Sequence, residues 1–447
     1  MYLNSLKKII LACLCSGVII QTTAQSQMGS TQSQMGRSSS QEMRLTLEAA
    51  KNYALDYNKN VANAQLEITE AQEKLKEVIA QGLPQIDATV DYTNFFGASA
   101  SVEAFAGMEI KFPHTSNFTV GLTQLIFSRT YQLGVQSAKL YREIMETSRS
   151  KTELEIKAEV TNSYLLSLIS MESQEILSSN IENIKSLKEK TKALAQAGFA
   201  EEVDYDRLSV QETMLRDAAR AAKRQTELAL NMLRLQMGLS WDVPIVLTED
   251  FQLIIEYSNF AQTLAQELSL EENFDFRQMS LQTKITEKQL QMEKSAYLPT
   301  LAGFYNYTGK ILKPEFDMTP NHIIGLNLQV PIFSSGARKS KVRQAKAKHQ
   351  IAQNQTDLLT QQLEIQETQL RFNLNNALEQ YNSQTQNLEV SERVYKNVND
   401  KFEQGMVSSI DLVTANNSYL QAQNSYISSL LQLTQAHMEL DKLYNSL

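Results

Sequence analysis

The chain has 447 residues, 21% of them charged, with a formal net charge of −8 and only 15 Gly and 7 Pro. The mild acidity gives no reason to expect nucleic acid, whose electrostatic footprint would be a basic face. So few helix breakers favour long uninterrupted helices.

The N-terminus reads as an export signal. Lys7 and Lys8 precede an apolar run, Ile9 to Ile20, and Thr22-Thr23-Ala24 places small residues for cleavage after Ala24. About 12 apolar residues fall short of the roughly 20 that span a bilayer. Both cysteines, Cys13 and Cys15, lie in this segment, so the mature chain would have none. Ile10-Leu11-Ala12-Cys13 loosely resembles a lipid-attachment site, a second reading of the same stretch. Beyond it, Ser26-Gln27-Met28-Gly29 recurs as Ser33-Gln34-Met35-Gly36 in a Ser/Gln-rich tract, which reads as a disordered leader over residues 25–44.

From residue 45 to 81, apolar residues spaced by three or four (Leu47, Ala50, Ala54, Tyr57, Val61, Ala64, Ile68) predict a helix. Gly82-Leu83-Pro84 ends it, because Pro84 lacks an amide hydrogen. The period then changes to two. Across residues 85–93, Ile86, Ala88, Val90 and Tyr92 face one way and Gln85, Asp87, Thr89, Asp91 and Thr93 the other. Such a strand suits a membrane barrel with a wet lumen, or a half-buried soluble sheet. A second strand is predicted over 117–127, after a loop spanning 97–116 that is rich in small residues. A helix over about 130–197 follows, interrupted only by Gly134 and ending at Gly198.

The second half repeats this plan: helix 261–296 closed by Leu298-Pro299, strands 300–307 and 323–331 around a loop 310–322, and a helix over 337–403 ending at Gly405. At 1.5 Å per residue the last helix runs about 100 Å, which demands partners of equal length. The register of the repeat is legible: Leu83-Pro84 matches Leu298-Pro299, Leu125-Ile126-Phe127-Ser128 matches Pro331-Ile332-Phe333-Ser334, and Gly198 to Asp204 matches Gly405 to Asp411. The chain divides into a signal (1–24), a leader (25–44), a first repeat (45–238), a connecting segment with Trp241 and Pro244 (239–260) and a second repeat (261–447).

Narrow seams run along the long helices. Leu359, Leu363, Leu370, Leu374, Ala377 and Tyr381 form one, and Leu177, Ile181, Ile184, Leu187 and Leu194 another, as in coiled-coil packing. Four strands cannot close a barrel, and lipid does not tolerate an open sheet edge. Closure must come from other copies of the chain, and three copies give twelve strands, wide enough for a channel.

These residues, the doubled Leu-Pro helix ends, the Ile126-Phe127 and Ile332-Phe333-Ser334-Ser335-Gly336 strand ends and the Gly405-to-Asp411 turn followed by Leu412-Val413-Thr414-Ala415, resemble the TolC family of outer-membrane efflux proteins. The resemblance covers about residues 45–447; it departs at Ser128-Arg129-Thr130, where the family tends to have a glycine. It implies a mainly α fold with a β-barrel portion: a homotrimer with four strands per protomer in a transmembrane β-barrel above a long α-helical barrel. It also implies a place in the outer membrane, lipid around the barrel, and a periplasmic adaptor and inner-membrane pump as partners. The cargo would be small molecules or proteins in efflux or type I secretion.

By position, the family's tip constriction falls at the turns of Gly198 and Gly405, with Asp411 at an acidic site, Thr414 where relatives often have Asp, and Asp204 as the first-half counterpart. Ser408 and Asp411 also read as a capping box, so capping and gating both remain open for Asp411. Glu201, Glu202 and Asp206 start the helix after Gly198, where the macrodipole favours acids and where an adaptor could dock. A basic run, Arg338, Lys339, Lys341, Arg343, Lys346 and Lys348, follows the last strand as a solvated or headgroup-facing surface or, alternatively, a ring selecting anionic cargo. His114, His322, His349 and His437 show no metal-ligand spacing, and no phosphate loop or nucleophile turn occurs, so no enzyme, metal or cofactor is expected. Two other classes share part of the pattern: a periplasmic coiled-coil interaction protein without channel activity, and an uptake porin, which needs more strands per chain.

Overall fold

The computed structural model describes residues 42–97, 99–102, 108–111, 114–198, 200–250, 260–312 and 319–447. The expected signal peptide, Cys13, the leader up to residue 41 and part of the connecting segment lie outside these residues. Two compact units separate. In the smaller, strand β1 (Met43–Leu45) pairs in parallel with β6 (Ile245–Leu247), Met43 opposite Ile245. Met43 and Arg44, expected at the end of the leader, are therefore strand.

The larger unit opens with α1 (Leu47–Tyr57) and α2 (Lys59–Ala80) in place of the single helix expected over 45–81. The break is Asn58, buried and extended, whose side chain accepts from the Asn60 amide at 2.7 Å and donates to the Gln236 carbonyl at 2.7 Å. A tertiary partner, not local propensity, sets that break. Next come β2 (Gln85–Thr93), the hairpin β3 (Ser99–Val102) and β4 (Met108–Lys111), then β5 (Thr115–Phe127). The expected loop 97–116 thus contains a hairpin of its own.

Helices α3 (Arg129–Gln196) and α4 (Glu202–Met237) complete the first half. The second has α5 (Phe260–Ala265), α6 (Phe274–Ser295), β7 (Thr300–Leu312), β8 (His322–Gln329), α7 (Ala337–Glu403) and α8 (Ser409–Tyr444). The helix expected over 261–296 is split because Asn273 caps α6 and donates from Nδ2 to the Leu443 carbonyl at 3.2 Å. Strand β7 also runs to Leu312, into the expected loop 310–322.

One four-stranded sheet, in the order β2-β5-β7-β8, is antiparallel throughout. Its register sorts the side chains into two faces. Ile86, Leu122, Tyr305 and Ile324 lie in one row, and Asp87, Gly121 and Asn306 begin the opposite one. On the polar face, Thr119 and Thr308 hydroxyls meet at 3.4 Å. Phe304 breaks the polarity, its ring lying where a Cβ on Gly325 would sit at 2.7 Å. The apolar face is bare: Ile86 is 74% and Ile324 83% exposed.

Beneath the sheet, α2 packs on α3, α3 on α6 and α6 on α7; farther down, α4 packs on α3, α3 on α8 and α8 on α7. Helix α7 is a flank throughout. Its expected seam is real: Leu363, Leu370, Leu374 and Ala377 are buried against Leu433, Leu440 and Leu443, with Leu359 and Tyr381 partly buried beside them. In α3, Leu177, Ile184 and Leu187 are buried with Leu208, Leu215 and Leu412, whereas Leu194 is exposed. No described helix is long and apolar enough to cross a membrane.

Two glycines at positive φ differ in surroundings. Gly238 (φ +71°) ends α4 with its would-be Cβ 2.6 Å from the Tyr57 carbonyl oxygen, while Gly198 (φ +78°) has nothing within 4 Å. Backbone strain alone costs about 1–2 kcal/mol for an L-residue in this region. Gly238→Ala is therefore expected to lower the melting temperature more than Gly198→Ala, and equal shifts would contradict the close approach.

Candidate functional site at the helical tip

The two long hairpins turn by the same device. At the end of α3, the Gly198 amide donates to the Ala195 carbonyl at 3.0 Å with Gly198 in the left-handed region; at the end of α7, Gly405 (φ +73°) donates to Phe402 at 2.9 Å and Met406 to Lys401 at 2.9 Å. Glycine ends a helix this way without Cβ strain. The helices restart differently. Glu201 caps α4 without a side-chain hydrogen bond, leaving Glu202 and Asp204 in the first turn to meet the helix dipole.

Helix α8 starts with a complete capping box. The Asp411 amide donates to Ser408 Oγ at 3.3 Å, and Asp411 Oδ2 accepts from the Ser408 amide at 3.0 Å and from its hydroxyl at 2.6 Å. These bonds, the hydroxyl's first, hold the Asp411 carboxyl below the ordinary carboxylate range. Thr414 donates its hydroxyl back to the Ile410 carbonyl at 2.8 Å.

The fold brings Asp204 and Thr414 together. They line one cleft of about 270 Å³ with Arg207, Ile410 and Val413, and Arg207 Nη1 lies 3.7 Å from Asp204 Oδ1. Asp411 does not line that cleft; it is exposed on the capping turn. Glu201, Glu202 and Asp206 are also exposed.

Several residues that tie the hairpins together carry no sequence signal. Lys190 Nζ meets Glu403 Oε1 at 2.6 Å between α3 and α7, Gln211 donates to Asn417 at 2.7 Å between α4 and α8, and Asn180 donates to Gln423 at 2.9 Å. Glu212 accepts from Lys188 and, at 2.6 Å, from Arg216, and these bonds, that of Lys188 foremost, depress its pKa. Their partners are distant in the chain, so only the spacing of Arg207 three residues after Asp204 and of Arg216 four after Glu212 was readable. Groups able to hold a metal ion are absent among the described residues.

Residues 265–446 match the family model described as outer membrane efflux protein. The resemblance to that family holds. The outer membrane efflux protein match lies in the second half, and the fold extends the likeness over both. Solved channels share it: the protein titled CusC (TM-score 0.73, 12% identity, 92% of this chain and 95% of that one), the outer-membrane channel OprN (0.72, 13%, 90% of each) and VceC from Vibrio cholerae (0.70, 16%, 89% and 94%). No curated protein is a significant match in sequence.

A group whose pKa is lowered by folding contributes stability above its ordinary value, and that contribution is lost as pH falls through the depressed one. Protection of the first-turn amides of α8 is thus expected to hold from neutral pH down to the ordinary Asp range, about 4, and to fall below it as the depressed carboxyl takes up its proton. Asp411→Asn should flatten that dependence, and Ser408→Ala, which removes the cap, should speed exchange roughly fivefold, the equivalent of about 1 kcal/mol. A wild-type profile no steeper than that of Asp411→Asn would contradict the capping role.

Proposed function

We propose that this protein is the outer-membrane channel of a tripartite efflux or type I secretion system: a homotrimer forming a passive duct, reached through a periplasmic adaptor and energised by an inner-membrane pump. The observation that carries this reading is the open sheet. Its apolar face is exposed and its outer strands, β2 and β8, have no partner on their outer sides among the described residues. Water makes such a face costly, and hydrocarbon makes such an edge costly. Because the strands alternate in direction and number four, β8 of one copy runs antiparallel to β2 of the next, so a ring of identical copies closes without a mismatch. Two copies would give an eight-stranded barrel filled by side chains; three give twelve strands.

The helices support the same ring. On α7, mostly in the tier beneath the sheet, Ile351, Leu358, Ile365 and Phe372 are exposed at seven-residue steps; on α4, the opposite flank of the lower tier, Val203, Val210, Met214, Leu228, Met232 and Leu235 are exposed in steps of three, four, seven and fourteen. Heptad stripes on both outer flanks fit packing between neighbouring copies. At the tip, the turns of Gly198 and Gly405 would form the constriction, with Asp204, Thr414 and Asp411 near it and Glu201, Glu202 and Asp206 facing the adaptor.

Leu358→Glu with Ile365→Glu would set like charges into the flank stripe. Purified wild type is expected to be an oligomer that conducts in planar bilayers, and this variant a non-conducting monomer with helical circular dichroism retained. A wild-type protein extracted without detergent and silent in bilayers would favour a coiled-coil interaction protein. Asp411→Ala is expected to alter cation block of the open current; an unchanged block would leave Asp411 with capping alone.

A further inference from the structure

Between the last strand, β8, and the start of helix α7 an apolar pair adjoins a basic run. Ile332 and Phe333 are 92% and 84% exposed, side by side in the chain. The segment that carries them is fastened at its base. Arg338 Nη1 donates to the Pro331 carbonyl at 2.7 Å, its Nε donates to Ser334 Oγ at 3.0 Å, and its guanidinium lies 5.1 Å from the centre of the Tyr297 ring.

Directly below follow Lys339, Lys341, Arg343, Lys346 and Lys348, with no carboxylate anywhere between Asp317 and Asp357. Among the described residues none of these five forms an ion pair, whereas on α2 the neighbouring charges are paired, Lys74 with Glu77 and Lys76 with Glu73, each at 2.7 Å. The run also sits at the wrong end of its helix. Helix α7 has no acid in its first turn and no side-chain cap, so Lys339 in that turn meets the positive end of the macrodipole, with the other cations stacked just below it. No ion pair among the described residues offsets that repulsion; an external anion would.

Lys339, Arg343 and Lys346 stand at i, i+4 and i+7, and all three are exposed, on a different face from the buried Ala345 and Ala352. They cover about 10 Å along the helix axis, a depth comparable to a headgroup layer. We infer that this patch docks anionic phospholipid at the periplasmic edge of the barrel: Ile332 and Phe333 enter the acyl layer, and Lys339, Arg343 and Lys346 meet the phosphodiester groups one layer below. This inference rests on the reading of the sheet as membrane-embedded. A juxtamembrane cation is worth about fivefold in affinity for an anionic surface.

The test uses the full-length protein in detergent, exchanged against mixed micelles of phosphatidylglycerol and phosphatidylcholine, with retained lipid quantified per protein and conductance recorded in parallel. Wild type is expected to retain phosphatidylglycerol at least tenfold over phosphatidylcholine, and excess inorganic phosphate should not displace it. Lys339→Gln/Arg343→Gln/Lys346→Gln should bring the ratio within about twofold of unity with the oligomer and its conductance unchanged. The charge-conserving Lys339→Arg/Arg343→Lys/Lys346→Arg and the remote Lys223→Gln/Arg224→Gln should keep the wild-type ratio. Equal retention of both lipids by a conducting wild type overturns the inference and leaves the channel reading standing. Displacement by free phosphate, or dissociation of the oligomer in the triple Gln variant, overturns it in favour of an anion site or a contact between copies. A lipid preference in a protein that never conducts would instead count against the channel.

Discussion

The structure turns on backbone hydrogen bonding at the two sides of a four-stranded sheet. Each strand satisfies its inner neighbours, but among the described residues β2 and β8 have no partner on their outer sides, while their side chains offer hydrocarbon-compatible surface on one face and polar groups on the other. In water the apolar face is the liability; in lipid the edge is. On the proposed reading, association of copies removes both at once, and the even number of alternating strands makes every junction antiparallel, so that the association can close into a ring.

The helices below obey the same logic with different chemistry. Inside the chain, leucine seams join α7 to α8 and α3 to α4, with Leu412 buried where the two hairpins meet. Much of the remaining surface is amide and hydroxyl, which tolerates a wet interior. Polar ties such as Lys190 to Glu403 and Gln211 to Asn417 join the hairpins near the tip beside that core. The exposed Lys190–Glu403 pair is individually weak, so a tip that opens, as proposed above, would part it at little cost while the packed seams stay fixed.

Much of this was legible because the patterns are periodic. The bounds of α7 and β2 follow from the absence of Pro and Gly over 337–403 and from strict alternation over 85–93, and the structure reproduces both. The two split helices share one cause. Asn58 and Asn273 are local caps, but each is fixed in place by a distant carbonyl, that of Gln236, 178 residues away, and that of Leu443, so the contact that decides the break has no local signal. The tip shows the same limit: the capping box of Ser408 and Asp411 is local and was readable, whereas the cleft joining Asp204 to Thr414 exists only once two hairpins pack. The second stripe of α7, Ile351 to Phe372, was hidden in the sequence by the stronger seam beside it.

The most direct measurement is the copy number of the particle extracted from outer membranes in mild detergent, taken by native mass spectrometry. The account requires three chains per particle, the count that joins every β8 to a β2 around an open lumen. A particle holding a single chain, stable and fully folded in detergent, would contradict it.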